Sequence, residues 1–211
     1  MTQRLVFAGD SITDAGRLRS DDRSLGDGYV SLIADELTAQ GADVVAINRG
    51  IAGDRAVDLE RRWDQDVLAE RPDVLTVYVG VNDMLRRFDS GDPTSAEAFE
   101  ATYRRLLASV RVPLLILVEP FFVPVRPEQH EWLADLDEKR AIVARLAEEN
   151  GARLVLLHDA VTRAAAEQGA DAVVPDGVHP TPVGSRLLAD AWLAAYTEAT
   201  AGSPAAAEAR S

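Results

Sequence analysis

Cysteine is absent from the 211 residues, and lysine occurs once, at Lys139. The first absence excludes disulfide frameworks, thiolate metal sites and cysteine nucleophiles together. The second leaves serine–lysine chemistry a single residue to draw on. Histidine is scarce too, with only His130, His158 and His179. Basic charge is outnumbered: 22 Lys and Arg stand against 35 Asp and Glu, for a net charge of −13. An acidic surface argues against nucleic acid and anionic membranes as partners. No apolar run approaches the roughly 20 residues of a membrane span. The start, MTQRLVFAGD, holds only four apolar residues in a row, too few for a secretory core. We therefore expect a cytoplasmic protein with no membrane partner. The phosphate-binding patterns G-x-x-x-x-G-K-S/T and G-x-G-x-x-G are missing, as are the metalloprotease pattern H-E-x-x-H and the serine elbow G-x-S-x-G. Nothing in the sequence asks for a nucleotide, a metal or any other cofactor.

What is present is alternation. Short, continuous apolar runs occur at 4–9, 43–48, 74–80, 114–120 and 153–159. Their continuity predicts strands buried on both faces. Between them lie helical stripes: Tyr29, Leu32, Ile33 and Leu37; Ala56, Leu59, Trp63 and Val67; Phe99, Tyr103, Leu106 and Val110; Ile142, Val143 and Leu146. A last helix opens on Thr181 as cap with Pro182 at its first position, and buries Leu187, Leu188, Ala191, Trp192 and Ala195. Strand alternating with helix predicts an α/β domain over residues 1–200 built on a parallel sheet covered on both sides. The remaining AGSPAAAEARS, 201–211, is expected to be a disordered tail.

Ligands bind such sheets at the carboxyl ends of the strands. Strand one ends in Gly9-Asp10-Ser11, strand two in NRGIAGD with Gly50 and Gly53, and strand three in GVND, with Asn82 and Asp83. Beyond strand five comes PDGVHP, with Asp176 and His179. Each piece alone has a plain reading as a turn, a cap or a surface histidine. Asp14 and Arg17 read as residues that shape a loop. Together, the pieces supply a hydroxyl, freed N–H groups, an amide and an Asp-x-x-His pair. Those are the parts that acyl transfer needs. Only His179 has an acid three residues before it. Asp176 can hold its Nδ1–H and leave Nε2 free to take the proton of Ser11. Candidate oxyanion donors are the N–H groups of Ser11 and Gly53 and the amide of Asn82.

These four blocks, in this order and through about residues 4 to 195, resemble the SGNH hydrolases, the GDSL-like esterase superfamily. The resemblance implies a flavodoxin-like three-layer α/β/α sandwich with five parallel strands. It also implies Ser11 as nucleophile, His179 as base, Asp176 as its orienter, and Gly53 and Asn82 as oxyanion hole. A narrower similarity lies in GDSITDAGR, GDGYV, NRGIAGDRAVDLERRWDQDV, GVNDMLRRFD and VEPFFVP. These look like intracellular acetylxylan esterases, which implies an acetyl ester on a xylo-oligosaccharide or related sugar as substrate. That branch carries an aromatic residue before the triad aspartate, whereas Pro175 stands here. The alternative within enzymes is a lysophospholipase or thioesterase acting on longer acyl chains. The charged loop TDAGRLRSDDRSLGDG, 13–28, favours the sugar, because its side chains can hydrogen-bond hydroxyls. The segment PFFVPVRPEQHEWL, 120–133, is expected to expose apolar and aromatic side chains beside the site or at a contact between copies of the chain.

Overall fold

In the computed structural model, which describes residues 2–201, the sheet order is β2-β1-β3-β4-β5, with every neighbouring pair parallel. The tail expectation falls, past Ala201, outside the described residues. The chain runs β1 (Gln3–Gly9), α1 (Ser11–Asp14), α2 (Tyr29–Ala39), β2 (Val44–Gly50), α3 (Ala56–Arg62), β3 (Val74–Tyr78), α4 (Val81–Asp89) and α5 (Ala96–Ala108). It continues through β4 (Leu114–Val118), α6 (Leu133–Glu149), β5 (Arg153–Val155), α7 (His158–Gln168), α8 (Ala170–Val173) and α9 (Pro182–Ala201). This is the flavodoxin-like order, and the winding direction reverses between β1 and β3.

Residues of β1 alternate between two cores, which accounts for its uninterrupted apolar run. Leu5 and Phe7 pack into one core with α2, α7, α8 and α9. Val6 and Ala8 face the other, formed with α3, α5 and α6. The expected stripes supply both: Tyr29, Ile33 and Leu37 are buried on the first side, and Leu59, Trp63, Phe99, Tyr103 and Val143 on the second. Thr181 caps α9, its Oγ1 accepting the Gly184 N–H at 3.3 Å. Trp192 then pins that helix to the sheet, with Nε1 donating to Thr76 Oγ1 at 2.9 Å. No helix among the described residues is long and apolar enough to cross a membrane.

Two expectations need correction. The run 153–159 is strand only to Val155, because Glu119 Oε2 accepts the N–H groups of both Leu157 and His158 at 2.9 Å. That carboxylate turns the chain into α7, so His158 begins a helix instead of ending a strand. The segment 120–133 exposes less than expected: Phe121, Phe122 and Val123 are buried, Trp132 is half-buried, and Val125 is the exposed apolar residue. The Val123 N–H donates to the Gly177 carbonyl at 2.9 Å, so the segment lies beneath the Asp176–His179 loop. The rationale for a contact between copies of the chain is lost with that exposure.

Candidate active site

Ser11 is the first residue of α1, two positions past the end of β1. Asp10 caps this single turn, its Oδ1 accepting the Ile12 N–H at 3.0 Å. Short polar residues compete for backbone donors in this way, and the strand therefore stops here.

The PDGVHP loop brings its histidine to the serine. His179 Nε2 lies 2.9 Å from Ser11 Oγ, and His179 Nδ1 lies 2.6 Å from Asp176 Oδ2. The other carboxylate oxygen, Oδ1, accepts the N–H groups of Val178 at 2.9 Å and His179 at 2.7 Å. Burial works to raise the Asp176 carboxyl. The hydrogen bond from His179 and the two backbone donors outweigh it and hold the group below the usual carboxylate range. Gly177 makes the turn possible. Its φ is +87°, and a Cβ there would stand 2.2 Å from the Val123 carbonyl oxygen.

Gly53 lies on the loop after β2, and Asn82, near the start of α4, bonds the next residue of that loop. Gly53 also has a φ of +87°, a conformation that glycine adopts without strain. Asn82 Nδ2 donates to the Asp54 carbonyl at 3.0 Å, which leaves its second N–H available. Next along α4, Asp83 Oδ2 accepts the Ala56 N–H at 3.0 Å. Two successive residues of α4 thus hold the segment at Asp54 and Ala56, where the loop enters α3. Arg62 ties that loop to the strand ends: Nε to Asp54 Oδ2 at 2.8 Å, Nη1 to the Arg49 carbonyl at 2.8 Å, and Nη2 to the Gly9 carbonyl at 3.2 Å. The Ile51 N–H reaches the same Gly9 carbonyl at 3.0 Å. His130 stays apart on an exposed turn, with Nδ1 near the Pro127 carbonyl at 3.1 Å.

A cavity of about 320 Å³ opens beside Ser11 and His179. Ile12, Ala15, Pro180 and Pro182 line it, together with Asp27, Gly28 and Ser185. Gly53 and Asn82 do not line it. The charged loop 13–28 behaves differently from its sequence reading. Asp14 accepts from Ala52 N–H at 3.0 Å and from Arg19, Arg17 donates to the Gly50 carbonyl at 2.9 Å, and Asp22 pairs with Arg49. These side chains hold the loop together, and Asp27 is the charged residue of that loop lining the cavity.

In the sequence, Asp10 and Asp83 read only as turn and cap formers. Both are fully buried. Burial pushes the Asp10 carboxyl up to about 7, against the Ile12 N–H and with help from Asp83 and then Asp54. Burial likewise pushes Asp83 up to about 7, opposed by the Ala56 N–H and Lys139. The signal that could have marked them was their position, one residue before Ser11 and one after Asn82.

A model of the GDSL-like Lipase/Acylhydrolase family matches residues 7–187. An acetylxylan esterase of Geobacillus stearothermophilus is 32% identical over 203 residues, 90% of this chain and 92% of that one. Its crystal structure superimposes with a TM-score of 0.85 over 92% of this chain and 93% of the other. Structures of the same esterase with a catalytic serine or a catalytic histidine replaced by alanine match at the same TM-score. An α/β hydrolase from the metagenome of Lake Arreo, Spain, is 31% identical, with a TM-score of 0.85 over 92% of this chain and 96% of its own.

Proposed function

The chain belongs to the GDSL-like lipase/acylhydrolase family and is a carboxylic ester hydrolase, and on that premise we propose that it removes acetyl groups from acetylated xylo-oligosaccharides or related sugars through Ser11, His179 and Asp176. The observation that carries the reading is the unbroken contact from Asp176 through His179 to Ser11 at the mouth of a cavity. Ser11 Oγ attacks the ester carbonyl carbon while His179 Nε2 takes the hydroxyl proton. The carbonyl electrons move onto oxygen, where the N–H groups of Ser11 and Gly53 and the amide of Asn82 receive the charge. As the C–O bond breaks, His179 returns its proton to the departing sugar oxygen. Water then attacks the acetyl-enzyme with His179 again as base, giving acetate and free Ser11. Asp176 keeps the imidazole in the tautomer that these transfers need.

A serine-reactive phosphonate is expected to add mass at Ser11 and to abolish hydrolysis. Labelling at another serine, or a fully active Ser11→Ala protein, would remove Ser11 from the reaction.

The leaving oxygen must lie beside His179, so the cavity bordering that residue is assigned to the sugar. On this reading Asp27, which lines the cavity, accepts a sugar hydroxyl. The apolar walls favour one competing reading, in which the cavity houses a longer acyl chain. The two differ sharply in energy. Burying the six further methylenes of an octanoyl group would gain about 5 kcal/mol at about 0.8 each. Acyl p-nitrophenyl esters decide between them. We expect kcat/KM on the acetate to exceed that on the octanoate by about tenfold or more, since a misplaced methylene costs about 1–3 kcal/mol. Equal or better cleavage of the octanoate would give the cavity to the acyl chain.

A further inference from the structure

We infer that Ser185 and Asp27 form a recognition pair for the hydroxyl next to the ester, so that the enzyme prefers acetylated sugars whose neighbouring carbon still carries a free hydroxyl. The inference deepens the acetyl-sugar reading above and rests on it.

The lining of the cavity supplies the first argument. Among the described residues that line it, Ser11 and His179 are engaged with each other. Asp27 and Ser185 are the two other polar side chains, set among apolar residues such as Ile12, Ala15 and Pro180. Asp27 is exposed, and its carboxylate has no hydrogen-bond or ion-pair partner among the described residues. Ser185 is buried, with 5% of its surface exposed. A serine inside a helix can bond back to the carbonyl four residues before it. Here the Thr181 carbonyl takes the Ser185 N–H at 2.8 Å, and the hydroxyl has no partner among the described residues. A hydroxyl so buried is costly unless a ligand or solvent pairs with it.

Backbone connections supply the second. The Ala15 N–H donates to the Ser11 carbonyl at 3.0 Å, and the Asp27 N–H donates to the Ala15 carbonyl at 2.9 Å. Asp27 is thereby held to the turn that carries the nucleophile. Ser185 bonds to Thr181, two residues past His179, and so is held to the loop that carries the base. The cavity thus has a carboxylate fixed to one reacting residue and a hydroxyl fixed to the other.

Chemistry names the ligand group. The leaving oxygen lies beside His179, and the nearest groups of a sugar ring are those on the adjoining carbons. A carboxylate accepts and cannot donate, whereas a serine hydroxyl does both. A free hydroxyl on the adjoining carbon satisfies the pair. An acetyl group or a hydrogen in its place brings no donor and leaves the pair idle. Sites built to bond a hydroxyl discriminate against analogues that lack it.

The test compares initial rates on two acetates of one xyloside. One has a free hydroxyl on the carbon next to the ester, and the other has hydrogen there. In the parent, kcat/KM is expected to favour the free hydroxyl by about tenfold or more. Ser185→Ala and Asp27→Ala are each expected to narrow that ratio to about threefold or less. Asp27 is exposed, so its variant tests the pair even should Ser185→Ala not fold. Removing an unpartnered hydroxyl should leave the melting temperature of Ser185→Ala equal to the parent's or higher. A lower melting temperature with the ratio intact would make Ser185 a structural residue and overturn the pair. Equal rates on the two sugars in the parent would overturn this inference alone. Cleavage of p-nitrophenyl acetate with neither sugar touched would overturn the sugar reading and the inference with it.

Discussion

Replacing His179 by alanine is expected to lower kcat by about 10⁴ or more, as loss of a triad histidine does. The argument starts from the hydroxyl, a poor nucleophile until a base takes its proton. Nε2 of His179 is 2.9 Å from Ser11 Oγ, whereas His130 sits on an exposed turn and His158 opens α7 beside Glu119. His130→Ala and His158→Ala should therefore retain most of the activity. Asp176, held low by His179 and two backbone donors, stays ionised as pH falls toward the usual carboxylate range, so the contact that orients the imidazole persists there. A His179→Ala protein within tenfold of the parent would assign the base elsewhere.

Asn82→Ala is expected to cost roughly 10²–10³ in kcat, the usual effect of losing one oxyanion donor. The side chain spends one N–H on the Asp54 carbonyl and has a second to offer the developing charge. That charge is absent from the ground state, so KM should change little. Stopped-assay kinetics would show the split: a raised KM with kcat intact would make Asn82 a substrate-binding residue. A melting curve run alongside reports how much the lost strap to Asp54 loosens the loop.

The repeating elements were legible because their causes are local. Buried parallel strands read as unbroken apolar runs, and helices packed on a sheet read as stripes such as Phe99, Tyr103 and Leu106. Element ends were less legible because distant residues set them. Glu119 ends the β5 run from 38 positions upstream, through the N–H of Leu157. The candidate residues Ser11, Gly53, Asn82, Asp176 and His179 could be chosen because each directly follows a strand or sits in a turn motif. Their supports could not. Arg62 looks like any surface arginine on a helix, yet it joins the Asp54 loop to the ends of β1 and β2. The reading of 120–133 failed for a related reason. Apolar residues outside a periodic element do not reveal their cover, which here is the Gly177 loop. Likewise, charged residues in 13–28 gave no sign that most would pair within the protein and not face the cavity.

The contact between His179 and Ser11 joins residues 168 positions apart. Closing a loop of that length costs entropy that nothing local returns, so such contacts form late in folding. Strand β1 must first find β2 and β3, and α9 must dock beneath the sheet, before the imidazole has a hydroxyl to meet. During synthesis, a nascent chain that has not yet reached His179 thus carries the serine without its base. Hydrolytic activity regained on dilution from denaturant should accordingly appear with the final cooperative step, making turnover a reporter of complete assembly.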